Sequence, residues 1–343
     1  MKKVLFIATG GTFAASKSTN GLKPKFSSQE LLKFFPSAAK IANITAVQIF
    51  NLDSTNINPH HWEKIAQTVF KHYNQFDGFV IAHGTDTMHF SAAALSFALQ
   101  NLQKPVVFTG AVLPPEDPNS DAEKNFLDSL LVAQSGSVKE VCICFNGEIL
   151  KATHVRKFTN EATKIFPGKI NVFSPVNSHL IGTVNLGKVI DNEIYFLKNG
   201  YSTKKLTLKL HAKFAPEKVA TLKIFPGLCG SILQKFYDFK IIILEAFATG
   251  NIPFEESIWP QEIKKFTQKN SLFITTQNPL GEVNLSLYEV GQKAAKSGVI
   301  SLKNMTLETA IAKASWLLGN FPNLKKQEIE KKMLKNFCGE IRN

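Results

Sequence analysis

At 343 residues, with 44% hydrophobic and 20% charged side chains, the chain has the balance of a folded protein with material for more than one core, which excludes wholesale disorder. Its longest apolar stretches, such as Ile241-Ile242-Ile243-Leu244, fall well short of the about 20 residues that cross a bilayer, so no membrane partner is expected. The net charge is +13, and residues 181–240 alone hold 10 Lys against 4 Asp or Glu. No zinc-finger spacing or aromatic RNA-binding signature accompanies that excess, so a solvated lysine-rich surface is expected rather than a nucleic-acid partner.

Strand-like and helical patterns alternate along the first half, the signature of a parallel sheet with crossover helices. The N-terminus runs from Met1-Lys2-Lys3 straight into a strand over 4–8, without a leader-like segment, and the expected location is cytoplasmic. Ser27 opens a helix with Glu30 three residues on, a capping-box pattern. Asn58-Pro59 opens another, whose apolar residues Trp62, Ile65, Val69, Phe70, Tyr73 and Phe76 recur at helical spacing. Strands follow over 78–82, 105–109 and 140–145, with helices over 92–102 and 121–133 between them. Cys142 and Cys144 alternate with apolar neighbours on the last of these strands. With Cys229 and Cys338 they are too few and scattered for a disulfide framework or a metal site.

The periodicity loosens between about 182 and 209, and strands resume over 219–225, 240–244 and 271–275 before helices over 306–318 and 325–334. The expected architecture is α/β: a larger, doubly wound, mostly parallel N-terminal domain over 1–185, a linker over 186–211 and a smaller C-terminal α/β domain over 212–343.

Two Thr/Gly-rich turns stand where apolar runs stop. Thr9-Gly10-Gly11-Thr12 follows Val4-Leu5-Phe6-Ile7, and His83-Gly84-Thr85-Asp86-Thr87 follows Phe79-Val80-Ile81-Ala82. In an open α/β sheet, ligands bind beyond the carboxyl ends of the strands, so both turns can face one small substrate. Each offers a threonine as a candidate nucleophile. A threonine hydroxyl needs a neighbouring base, and a lysine in a less polar site can serve, with Asp86 to orient it. The glycines let backbone N–H groups approach an oxyanion. The structural alternative is that the first turn is a tight connection and that Thr85, Asp86 and Thr87 merely cap the next helix. No G-x-G-x-x-G or P-loop lysine is present, so no dinucleotide or nucleotide cofactor is expected.

Taken together, Thr9-Gly10-Gly11-Thr12, Asp53-Ser54-Thr55, His83-Gly84-Thr85-Asp86-Thr87 and Thr109-Gly110-Ala111 resemble, in order and spacing, the motifs of bacterial-type L-asparaginases of the cytoplasmic, type I branch. The similarity continues through 152–166, Ile224-Phe225-Pro226-Gly227-Leu228, Thr275-Thr276-Gln277 and 298–305, and so covers nearly the whole chain. The resemblance implies that Thr12 attacks the side-chain amide carbon of asparagine to form an acyl-enzyme. It implies a second cluster, Thr85, Asp86 and Lys157, assisting a threonine and the water-dependent step. Lys157 is placed by its spacing to Phe166, ahead of its neighbours Lys151, Arg156 and Lys164. Asp53, Ser54 and Asp86 would grip the α-amino and α-carboxylate groups, with Gly11, Thr55, Gly84 and Ala111 completing the substrate site. Asn251 either reaches a neighbouring subunit's site or only forms a turn. The implied protein is a homodimer or homotetramer acting on an amino acid, without metal or organic cofactor.

One position departs from the family pattern. A tyrosine normally stands in the mobile loop after the first motif, whereas here the stretch is Ser18-Thr19-Asn20-Gly21-Leu22-Lys23-Pro24, with Leu22 in its place and no tyrosine before Tyr73. Modest activity is the expectation. A weakened amino-acid sensor and an ammonia-supplying amidotransferase subunit are the alternatives; the latter family carries an extra N-terminal domain, whereas the catalytic strand here starts at Val4.

Overall fold

The computed structural model describes residues 1–157, 180–182, 184–197, 206–254 and 258–342. Within it the chain divides into two compact units, Met1–Ala212 and Lys213–Asn343.

The first unit is built on β1 (Lys3–Gly10), whose Val4 to Ala8 are fully buried. A strand covered on both faces reads as a continuous apolar run, and this one does. Strands β2 (Ala15–Ser18) and β3 (Gly21–Pro24) form a separate hairpin. The main sheet continues with β4 (Asn43–Leu52), β5 (Gly78–Ala82), β6 (Val106–Thr109), β7 (Val141–Phe145) and β8 (Glu148–Lys151). Strand β9 (Val155–Lys157) pairs outside that sheet with β10 (Leu180–Gly182), and β11 (Asn185–Ile190) and β12 (Glu193–Phe196) close its far edge. The eight-stranded order is β12-β11-β8-β7-β6-β5-β1-β4. Neighbours from β4 to β7 are parallel, and the rest are antiparallel.

Register sets up the site. Ala8 lies opposite Ala82, and Ala82 opposite Thr109, so β5 and β6 end level with Ala8, two residues before the end of β1, and the following turns emerge side by side. Beneath them an aromatic cluster anchors the first turn: the Phe6 and Phe126 rings lie 4.8 Å apart and the Phe13 and Phe35 rings 5.5 Å apart. Such pairs add about 1 kcal/mol each beyond the area they bury.

Helix α1 (Ser28–Phe34) opens with the expected capping box: Ser27 Oγ accepts from the Glu30 amide at 3.3 Å, and Glu30 returns a carboxylate to the Ser27 amide at 2.8 Å. Helix α2 (Pro59–His72) is capped by Asn58 and buries Trp62, Ile65 and Val69. Phe70, expected on the same face, is 42% exposed, because it stands one residue, about 100° of helix, round from Val69. Helix α3 (Met88–Ala98) begins four residues before the expected 92 and stops earlier, since Leu99–Gln100 leaves the helix to pair with Lys209–Leu210. Helix α4 (Ala122–Ser135) lies against the same sheet.

The stretch 186–211, expected as a linker, contributes β11 and β12 to the sheet instead. Asp191 and Asn192, with φ of 49° and 64°, make the two-residue left-handed turn that suits a tight hairpin. The polar, aperiodic sequence there reflects a half-solvated sheet edge. The first unit accordingly runs on to Ala212.

The smaller unit carries a four-stranded, wholly parallel sheet in simple order: β13 (Val219–Lys223), β14 (Ile241–Ala246), β15 (Ser271–Thr276) and β16 (Val299–Ser301). Its core joins Ile242, Leu244, Leu272 and Ile274 to Trp259, Ile263 and Phe266 of the helix Trp259–Thr267. Among the described residues, no helix is long and apolar enough to cross a membrane.

Candidate active site

The turns after β1 and β5 meet backbone to backbone. A Cβ on Gly11, whose φ is 72°, would lie 2.3 Å from the Gly84 Cα, and one on Gly84 would lie 2.6 Å from Ser54 Oγ. Both positions therefore demand glycine, one for conformation and space and the other for space alone. This close approach brings Thr12 and Thr85 to one cleft of about 140 Å³. Its lining is Gly11, Thr12, Asp53, Ser54, Gly84, Thr85, Asp86, Ala111, Val112 and Lys157.

Thr12 opens a short 3₁₀ turn, Thr12–Ala14, in which Phe13 and Ala14 are buried while Thr12 stays partly accessible. Among the described residues its hydroxyl has no hydrogen-bond partner. Thr85 is differently placed. Its Oγ1 accepts from Lys157 Nζ at 3.1 Å, and the same ammonium is paired with the Asp86 carboxylate. The Lys157 side chain is 16% exposed and that of Asp86 49%, so the lysine is held inward and the carboxylate faces the opening. Thr85, Lys157 and Asp86 thus form a hydroxyl–ammonium–carboxylate chain, which can activate a weak nucleophile or a water when the lysine gives up a proton.

The helix-capping alternative does not describe this loop. Thr87 precedes α3 without capping it through its side chain, and its hydroxyl donates instead to the Ser54 carbonyl at 2.7 Å, tying the β5 turn to the turn after β4. In that second turn Asp53 Oδ1 accepts from the Thr55 amide at 2.9 Å and the Thr55 hydroxyl at 2.8 Å. Thr55 accordingly acts as a support for Asp53 and does not itself line the cleft.

Sequence reasoning missed the wall built by the turn after β6. Val112 joins Ala111 in the lining, and the Asp121 carboxylate accepts from the Val112 amide at 2.9 Å and the Leu113 amide at 3.1 Å. Asn125 donates to the Gly110 carbonyl at 3.0 Å and to Asp121 at 2.9 Å. The pair stands four residues apart on one helix face, a signal that was present in the sequence but reads there only as the start of α4.

Leu22 sits on β3 opposite Lys17, 48% exposed and outside the cleft lining. The hairpin is tethered near its base, where Ser16 Oγ donates to Glu116 at 2.8 Å. Asn251 belongs to the second unit and closes the turn that begins at Phe247, with reciprocal backbone bonds of 2.9 and 3.1 Å. Phe166 and Lys164 lie outside the described residues. No group of three or more His, Cys, Asp or Glu among the described residues is placed to hold a metal.

A parallel sheet whose strand tips present hydroxyls, a lysine and carboxylates to one small polar cleft, in a chain with a second α/β unit, defines an α/β protein equipped for nucleophilic chemistry on a small polar substrate. Residues 3–188 match the family "Asparaginase, N-terminal" and residues 218–333 the "Glutaminase/Asparaginase C-terminal domain". The chain belongs to the asparaginase family.

Among its relatives, a glutamyl-tRNA(Gln) amidotransferase subunit of Pyrococcus abyssi is 36% identical over 99% of this chain and 77% of its own length. An L-asparaginase of Thermococcus kodakarensis is 33% identical over 99% of both chains. Among solved structures, the thermostable L-asparaginase from Thermococcus kodakarensis superposes with a TM-score of 0.87 at 30% identity over 99% of each chain. L-asparaginase I from Vibrio cholerae gives 0.83 at 27% identity over 100% of this chain and 99% of that one.

Proposed function

We propose that the protein hydrolyses L-asparagine to L-aspartate and ammonia. The observation that carries this reading is the Lys157 ammonium bridging Thr85 Oγ1 and Asp86 in a cleft also lined by Thr12. Its two separately positioned hydroxyls match a reaction with two nucleophilic steps. In the first, Thr12 Oγ1 attacks the carboxamide carbon, the C–N bond breaks, and the nitrogen leaves as ammonia with the hydroxyl's proton. In the second, a water activated through Thr85, Lys157 and Asp86 adds to the acyl ester, releasing aspartate and returning the proton to Thr12. Backbone N–H groups of the glycine-bearing turns are suited to the oxyanion of both steps.

Asp53 and Asp86 supply negative charge for a substrate ammonium, while Ser54 and the backbone amides supply donors for its carboxylate. A small polar amino acid therefore suits the cleft. The subsite assignments to Gly11, Gly84 and Ala111 rest on the same lining, with Thr55 acting through its hold on Asp53. As an amidohydrolase of this family the protein would work in the cytoplasm as a homodimer or homotetramer, and Asn251 would contribute from a neighbouring subunit.

Ammonia release from asparagine and from glutamine, measured for the wild type, Thr12→Ala and Thr85→Ala, tests the reading. Each variant should lose about a thousandfold or more in kcat. Full activity in Thr12→Ala would remove it from the nucleophile's place. A second reading, an ammonia-supplying amidotransferase subunit, is favoured by the amidotransferase relatives. It predicts little release from free asparagine and release from glutamine only with a partner subunit and charged tRNA present.

A further inference from the structure

Gly84 creates a mechanical difficulty that the structure answers with a histidine. Glycine is required there because Gly11 and Ser54 press against its Cα, yet a glycine peptide is the least restrained unit the backbone has. The imidazole of His83, wholly buried, lies against that peptide: its Nδ1 is 2.8 Å from the Gly84 carbonyl oxygen, and its Nε2 is 2.9 Å from Ser91 Oγ. Ser91 in turn accepts from the Trp62 indole N–H at 2.9 Å.

Donor and acceptor roles follow from chemistry. A carbonyl oxygen only accepts and an indole N–H only donates. Nδ1 must therefore carry a hydrogen, while the Ser91 hydroxyl, accepting from Trp62, has the capacity either to donate to Nε2 or to accept from it. Burial pushes the ring's pKa down to about 4, so it stays neutral over the ordinary range, and Nε2 then accepts the Ser91 hydrogen.

The consequence reaches the cleft. The Gly84–Thr85 peptide is trans, so with the Gly84 carbonyl held toward the imidazole the Thr85 N–H points the opposite way. The ring thereby fixes the rotation of the one peptide that joins the glycine contact to the threonine bonded to Lys157. We propose that His83 is a positioning residue. The Trp62–Ser91–His83 chain, anchored in α2 and α3, locks the Gly84–Thr85 peptide and so holds Thr85 Oγ1 on Lys157 Nζ. The inference rests on the reading of Thr85 as part of the amide-hydrolysing site.

His83→Asn and His83→Gln separate this role from simple packing. Both remove ring volume, but the Asn amide nitrogen can stand in for Nδ1–H, whereas the Gln amide reaches only toward the Nε2 end. With asparagine as substrate, His83→Asn should keep kcat within about threefold of wild type, and His83→Gln should lose about tenfold to a hundredfold in kcat with KM little changed. The two should melt at similar temperatures. Equal losses in the two variants that track their melting temperatures would overturn the proposal, as would wild-type kcat in His83→Gln. Should both variants fail to fold, Ser91→Ala and Trp62→Phe cut the outer links, and an unchanged kcat in both would overturn it.

Nitrogen NMR of the wild-type imidazoles is independent of turnover: a hydrogen on Nδ1 of His83 supports the relay, and one on Nε2 overturns it. Absence of ammonia release from the wild type would instead overturn the amidohydrolase reading, with the tautomer still deciding the relay.

Discussion

The main sheets of the two units end in similar residues and do different things with them. In the second unit, the strand ends at Thr275, Thr276 and Gln277 turn their polar groups back onto their own backbone. Gln277 donates to the Ile224 carbonyl at 2.6 Å and the Glu245 carbonyl at 2.9 Å, Thr275 donates to the Leu244 carbonyl at 3.3 Å, and Thr276 bonds the Ala248 carbonyl. In the first unit, by contrast, the Thr12 hydroxyl has no partner among the described residues and Thr85 Oγ1 accepts from a lysine. A threonine at a strand tip is thus not a site in itself. What distinguishes the first unit is hydrogen-bonding capacity left open toward a cleft, and a glycine pair that lets two tips approach.

Gly84→Ala breaks that distinction most severely. A methyl 2.6 Å from Ser54 Oγ must push the two tips apart, and ammonia release should fall by at least about a hundredfold. The same assay on a protein that melts normally separates this from unfolding.

Acid should weaken the first unit's framework next. The unfolded chain takes up a proton at position 83 near pH 6.5, while the folded chain refuses it until about pH 4. Unfolding is therefore favoured progressively as the pH falls from about 6.5 toward 4, by on the order of 3 kcal/mol. Denaturant melts of wild type and His83→Asn across that window should show a shallower slope in the variant, and parallel slopes would speak against the buried neutral ring.

Leu22→Tyr sharpens the comparison from the other side by restoring a hydroxyl to the hairpin. If proton transfer at Thr12 limits the rate, kcat should rise by about tenfold or more. No gain would mean that the hairpin does not serve that step. The smallest effect belongs to the second unit: Gln277→Ala should cost about 1–2 kcal/mol of stability and leave kcat within twofold. A large loss of kcat in a stable variant would erase the contrast between the two sheets.

Much of this was legible in the sequence. The fully buried strands announce themselves as continuous apolar runs, and the residues that line the cleft mostly fall in the two Thr/Gly turns and their companions. Lys157 was legible only through family spacing, because a lone lysine beside Arg156 carries no local signal. What stayed hidden depends on pairings across long separations. Trp62, Ser91 and His83 read separately as a helix face, a helix residue and a motif letter, and only the fold joins them. The hairpin of β11 and edge strand β12 was hidden for another reason: half-solvated strands joined by Asp191 and Asn192 have the composition of a loop.

The proposed mechanism centres on an aspartyl ester on Thr12 that Thr85, Lys157 and Asp86 would help water to cleave. Lys157→Met mixed with excess asparagine tests this most directly, by following ammonia and the intact mass together. The expected result is a burst of one ammonia per site, then near-arrest, with a mass gain of one aspartyl group mapped to the peptide carrying Thr12. Steady ammonia release with no adduct, or an adduct on the peptide carrying Thr85, would contradict it.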